Sequence, residues 1–274
     1  MKTLQKMLLP VGIGCATLAA LAPMSSSAQV IASDNAGNYS GNWPSPGPNN
    51  GSGFGAWSFN NSTPNGGFSG QFLGASGNIN SGSGNAFGFY ANGAASAQSQ
   101  AIRSFSQTLT SYQTFSLQMQ NGNVTDNGGQ VGFALRDSSQ NNIFQFSFLG
   151  GGANYQLNIG QSPSSSVQVN TGVGFNSGPL TLSFTELAGN AWSFSLTTGS
   201  GTTTFSSSST GDSLYENDIS QVELFSLNGG SSRTLGDNGN LYYNNLEIVP
   251  EPATVSLLGT SLLAGLLIYR RRRQ

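Results

Sequence analysis

The chain has 274 residues, only 7% of them charged, with a formal charge of −2, a single cysteine and no histidine. That cysteine, Cys15, sits in an N-terminal apolar run, so the rest of the chain can form no disulfide and no Cys/His zinc site, and it has no His to activate a Ser or Cys nucleophile. Between Gln29 and Val249 there are three arginines, no lysine and ten acidic side chains, a formal charge of −7; this argues against a nucleic-acid partner, because phosphate binding rests on Lys and Arg.

At the N-terminus, Lys2 and Lys6 precede an uncharged apolar stretch from Met7 to Met24, and Ser26 and Ala28 supply small residues at positions −3 and −1 of a cut before Gln29. Residues 1–28 therefore predict a secretory signal peptide, helical in its apolar part and removed by signal peptidase. Gly12 stands where a lipoprotein signal carries Leu, so Cys15 is not read as a lipid attachment site.

The 221 residues from Gln29 to Val249 suit one domain of good size. From Ala32 to about Gly84 the composition is that of loops, yet Trp43, Phe54, Trp57, Phe59, Phe68 and Phe72 recur too often for a disordered linker. Short strands joined by long turns are expected there.

From Gln113 onward apolar residues fall on alternate positions, the period of a half-buried strand. Phe115, Leu117 and Met119 are followed by Val131, Phe133 and Leu135, then by Phe144, Phe146 and Phe148. Further runs are centred on Leu157, Leu182 and Phe194, and a last pair spans Val222 to Leu227 and Leu241 to Val249. Turn-forming groups such as Asn121-Gly122-Asn123 and Gly150-Gly151-Gly152 lie between them. The spacing leaves no room for crossover helices, and the prediction is an all-β antiparallel sandwich or jelly roll over residues 29–249.

The tail begins with Val249-Pro250-Glu251-Pro252, continues with 17 uncharged residues from Ala253 to Tyr269, and ends in Arg270, Arg271, Arg272 and Arg273. At about 1.5 Å rise per residue the uncharged segment reaches roughly 25 Å, near the lower limit of a membrane-spanning helix. The arginine cluster acts as a cytoplasmic stop, which places the domain before it on the other side of the membrane. Two prolines keep the chain before the span extended and accessible to an enzyme. In this order of parts, residues 250–274 resemble the PEP-CTERM sorting signal of Gram-negative bacteria. The resemblance implies that an exosortase reads Pro250-Glu251-Pro252, that the span is a transient membrane anchor, and that the domain is delivered to the cell envelope or outer surface, commonly in organisms with an extracellular polysaccharide matrix. The opening Gly53-Phe54-Gly55-Ala56-Trp57 is similar to the start of uncharacterised domains carried by such proteins.

Three activities are compatible with the residue types of the middle. Glycoside hydrolysis needs only paired carboxylates, for which Glu186 and Glu223 are the strand-borne candidates. Calcium would be sought at Asp237-Asn238-Gly239-Asn240 or at Asp212, Glu216 and Asp218. Saccharide binding uses aromatic platforms and planar amides; Trp43 and Trp57 in the loop-rich half are the candidate contacts, while Trp192 belongs to a core strand. The expectation is a non-enzymatic, lectin-like surface or matrix protein without a cofactor. Its partners would be signal peptidase, exosortase, the membrane before processing and extracellular polysaccharide; a matrix-acting glycoside hydrolase is the alternative.

Overall fold

Strands with one apolar face must bury it against another layer. In the computed structural model, which describes residues 29–40, 43, 49–63, 67–93, 96–126, 128–227 and 239–250, they do so as two antiparallel sheets that share one aromatic core. The first sheet has the order β13 (Gly201–Ser206), β12 (Trp192–Thr198), β11 (Pro179–Glu186), β6 (Gln113–Gln120), β15 (Leu241–Pro250), β4 (Ala86–Asn92), β3 (Phe68–Gly74), with β1 (Ala32–Asp34) also beside β15. The second has the order β10 (Ser165–Gly174), β9 (Asn154–Ser162), β8 (Asn142–Leu149), β7 (Gln130–Arg136), β14 (Gln221–Leu227), β5 (Gln98–Phe105), β2 (Phe54–Ser62).

The expected alternation is what buries the core. Phe115, Leu117 and Met119 of β6 and Leu180, Leu182 and Phe184 of β11 face Phe133, Phe144 and Phe146 of the second sheet, all of them buried. Phe144 lies 4.8 Å from Phe184 and 5.1 Å from Phe194 between ring centroids, so aromatic pairs join the two layers. Burial of each such ring contributes about 1.5–3 kcal/mol, the main force opposing the backbone entropy of a Gly- and Ser-rich chain. Helical structure among the described residues is limited to the one-turn helix Ser207–Thr210, capped by Ser206, and the 3-10 turns Ala36–Asn38 and Ala188–Asn190.

The last strand, β15, is central. One of its edges pairs with β6; the other is shared by β4, along Leu241–Tyr243, and β1, along Leu246–Ile248. Between them the strand is irregular, with Asn245 at φ 50°, and the Asn244 side chain fills the gap. Its Nδ2 donates to the carbonyls of Ile79 (2.6 Å) and Asn85 (3.1 Å), and its Oδ1 accepts from the Ala36 amide at 2.9 Å. The pairing continues to Pro250, opposite Gln113, so the first proline of the expected sorting motif ends a core strand.

Candidate functional site

Side chains on the outer face of the first sheet follow from strand parity. Met119 points inward, so Gln120 points outward, and cross-strand register sets Phe72, Gly88, Tyr242, Gln120 and Pro179 in one row across five strands. Gly88 is the gap in that row. A Cβ there would meet the Phe72 ring at 2.4 Å, so only glycine lets Phe72 lie over β4 and reach Tyr242, edge-on at 5.8 Å.

Beyond Tyr242 and Gln120 a groove of about 670 Å³ opens, walled by Asn78 after β3, Asn121 and Asn123 after β6, Ser177 before β11, and Asn240 before β15. None of the described residues lining it is charged. The Asn121 and Ser177 walls belong to loops that carry the chain between the two sheets, 121–129 and 175–178. The buried hydroxyl of Tyr155 in β9 holds both: it accepts from the Asn121 side-chain amide and the Asn176 N–H (3.2 Å), and donates to the Asn176 carbonyl at 3.1 Å. Burial raises this phenol to about 12, so it stays protonated and able to donate. Asn176 Oδ1 in turn accepts from the Gly178 amide at 2.8 Å, tightening the second loop.

Two acceptors of the wall, Gln120 Oε1 and Asn121 Oδ1, are buried without a hydrogen-bond partner, although Asn121 is only 4% exposed. A buried polar atom left without a partner costs roughly 1–3 kcal/mol. A neutral, amide-lined groove with one aromatic side is suited to a ligand that offers hydroxyl groups and an apolar C–H face.

The structure corrects the expected saccharide contacts. Trp43 and Trp57 are 3% and 2% exposed, and neither is a platform on the surface. Trp43 packs edge-on against Trp57 (5.8 Å) and Phe59 (5.3 Å) and lies against Phe87 (4.7 Å), securing the N-terminal segment to the sandwich. Trp57 Nε1 donates to the Tyr39 hydroxyl at 3.0 Å, in a buried network centred on Asp34 and Arg103. Arg103 is fully buried; it is ion-paired with Asp34, bonded to the carbonyls of Gly55 (2.8 Å) and Asn50 (2.6 Å), and lies over the rings of Phe54 and Trp57. The Trp57 indole is inside because aromatic area and the buried guanidinium need each other as cover, and Trp43 is inside because the rings of Trp57, Phe59 and Phe87 surround it.

Glu186 and Glu223 are not brought together. Glu186 continues the core face of β11, and burial pushes its carboxyl up to about 7. Glu223 lies in the other sheet with parity opposite to the core residues Val222 and Leu224, bonded to Gln100 and paired with Arg136. No cluster of three acidic side chains able to hold a metal occurs among the described residues, Asp212, Glu216 and Asp218 included; Asp237 and Asn238 lie outside them. Ser26, Ala28, Glu251, Pro252, the span 253–269 and Arg270–Arg273 also lie outside, while Gln29 is exposed and Val249 and Pro250 close β15. Among the described residues no helix is long and apolar enough to cross a membrane.

The groove was missed because Asn121-Gly122-Asn123 reads locally as a turn. Its signal was the clustering of amides at strand ends, Gln120 to Asn123 and Asn240, which alternation alone does not rank.

Fold and groove define the class as an all-β antiparallel sandwich with a polar groove at one end. Residues 249–273 match the PEP-CTERM protein-sorting motif, so the tail is a sorting signal that implies export, membrane anchoring before processing, and processing by an exosortase. No curated protein matches the sequence. Solved structures similar to the sandwich include a carbohydrate esterase from Shiga toxin-encoding bacteriophage phi24B (12% identity, 82% of this chain and 100% of that one, TM-score 0.48). The CBM2 module of the evolved Dit of Lactobacillus casei BL23 phage J-1 is another (11%, 71% and 90%, TM-score 0.45). The receptor binding domain of botulinum neurotoxin D is a third (8%, 72% of this chain, TM-score 0.41), and the chain spans 45% of its length.

Proposed function

We propose that this protein is a non-enzymatic component of the outer surface or extracellular matrix of a Gram-negative bacterium, whose sandwich binds saccharide in the groove beside Gln120 and Tyr242. The observation that carries this reading is the groove itself: uncharged, rich in planar amides, flanked by a tyrosine, and walled by loops that Tyr155 holds in place before any ligand arrives. Pre-set donors and acceptors reduce the ordering cost of binding. The sorting motif supplies the context, because an exported protein tethered before release meets extracellular glycans.

The test uses the full chain in a polyoxyethylene detergent, titrated calorimetrically with neutral mono- and oligosaccharides and checked for reducing-sugar release. Binding without turnover, weakened at least tenfold by Tyr242→Ala, is the expected result. Release of reducing sugar, or binding indifferent to Tyr242 and Gln120, would overturn it. Cell fractionation tests the address: the protein belongs with the envelope or medium, and accumulation in the cytosol would refute export.

A further inference from the structure

A second, smaller groove adjoins the first, with Asn123 lining both. It has a volume of about 250 Å³ and lies between the loop 123–126 and the turn after β8, with Phe148 and Phe175 as its aromatic wall. The two surfaces meet closely where Gly150 passes the crossover loop: a Cβ on Gly150 would stand 1.8 Å from the Thr125 carbonyl oxygen, so glycine is required at that approach.

Phe175 is 41% exposed, unusual for a phenylalanine in a chain whose other rings are mostly interior. It does not hang free, since its ring centroid lies 4.9 Å from that of Phe148, which in turn meets Tyr155 at 5.3 Å. The same tyrosine that pins Asn121 and Asn176 thus begins an aromatic stack ending at a surface ring one residue before Asn176. Hydrogen-bonding groups dominate the first groove and an aromatic platform the second, with the Asn123 ridge between them.

We infer that the ligand is a neutral oligosaccharide lying across both grooves, with one unit hydrogen-bonded beside Gln120 and Tyr242 and a later unit stacked on Phe175. This rests on the saccharide reading proposed above and adds the ligand's length and charge. A single sugar unit occupies only one side of the ridge, so the geometry calls for a chain. Neutrality follows from the lining: among the described residues no cation borders either groove, Asp126 borders the second, and the segment between Gln29 and Val249 carries −7 overall, a field that disfavours a polyuronate. An apolar peptide would satisfy Phe175 but leave the amide and hydroxyl groups that line the first groove without partners.

The experiment is calorimetry on the full chain with gluco-, manno- and galacto-oligosaccharides of one to six units, and with oligogalacturonate. For the series that binds, affinity should rise roughly tenfold or more from the monosaccharide to the tetrasaccharide. Phe175→Ala should abolish that rise, whereas Tyr242→Ala should weaken every length. Affinity independent of length, or a length effect that survives Phe175→Ala, overturns the two-groove site and leaves the first groove standing. Preferential binding of oligogalacturonate overturns the neutral class. Absence of binding to all neutral series removes the saccharide reading itself, and with it this one.

Discussion

The hydroxyl of Tyr155 in the second sheet bonds the side chain of Asn121, which leaves the last residue of a first-sheet strand, and so one phenol ties the two layers together at the end where the groove lies. Through Asn176 it holds the return crossover as well. Such a pin does not create a ligand contact; it restricts the loops that do.

Tyr155→Phe should therefore keep the core and loosen the rim. The ring still fills its place beside Phe146, 5.0 Å away, but the Asn176 N–H loses its acceptor, and Asn121 Nδ2 and the Asn176 carbonyl keep only the 3.5 Å bond to each other. A loss of about 1–3 kcal/mol in urea unfolding is expected, together with slower-binding, weaker association of oligosaccharide. Unchanged amide exchange in residues 121–123 and 175–178 would show that the hydroxyl does not hold them.

Removing the carboxylate of the Asp34–Arg103 pair leaves a guanidinium buried without its counter-ion. Burial already lowers Arg103 to about 10, still charged at neutral pH. Asp34→Ala should cost about 3–5 kcal/mol, seen as a large shift in denaturation midpoint. Because no residue of this network lines the groove, saccharide affinity of the molecules that remain folded should be unaltered.

Trp43→Ala separates the two roles an aromatic can have here. As an interior ring it should cost about 3–5 kcal/mol in stability, with glycan affinity maintained. A loss of affinity without loss of stability would place the indole at a binding surface after all, against its 3% exposure.

Glu186 makes stability pH-dependent in a direction opposite to the usual paired carboxylate. Burial raises its folded pKa from 4.5 to about 7, and Oε2 has no hydrogen-bond partner. The folded state therefore holds a proton that the unfolded chain releases near 4.5. The stability tied to that proton is full below about pH 4.5 and is lost as pH rises through 7, by ~3 kcal/mol in total. With no histidine in the chain, this window belongs to carboxylates raised by burial, Glu186, Glu216 and Glu223 among the described residues. Denaturation midpoints should fall between pH 5 and pH 8, and Glu186→Gln should flatten that slope; an equal slope in the variant would assign it elsewhere.

The position of β15 predicts where the chain can be shortened. A protein ending at Pro250 retains every pairing of the strand, whereas one ending at Asn240 deprives β6, β4 and β1 of their shared neighbour. The first should give dispersed amide resonances and the second should not fold.

The strands of the second half were legible because alternation with period two is a local property: β6 to β9, β11, β12, β14 and β15 fall on the apolar runs that announce them. Edge strands β10 and β13 were not, since Ser165–Gly174 and Gly201–Ser206 are largely exposed on both faces and need no apolar side. β5 was hidden differently: its core face reads Ser99, Ala101, Arg103, Phe105, and a buried arginine looks like a surface residue until Asp34 is beside it.

The export address and the all-β class were set by the sequence alone, because a sorting tail and an alternating strand each act through neighbouring residues. Which aromatics are interior, and where amides converge into a groove, was decided only by tertiary structure. Trp57 meets Arg103 and Tyr155 meets Asn121 from positions 46 and 34 residues apart, and such encounters depend on strand order and register, which no local pattern encodes.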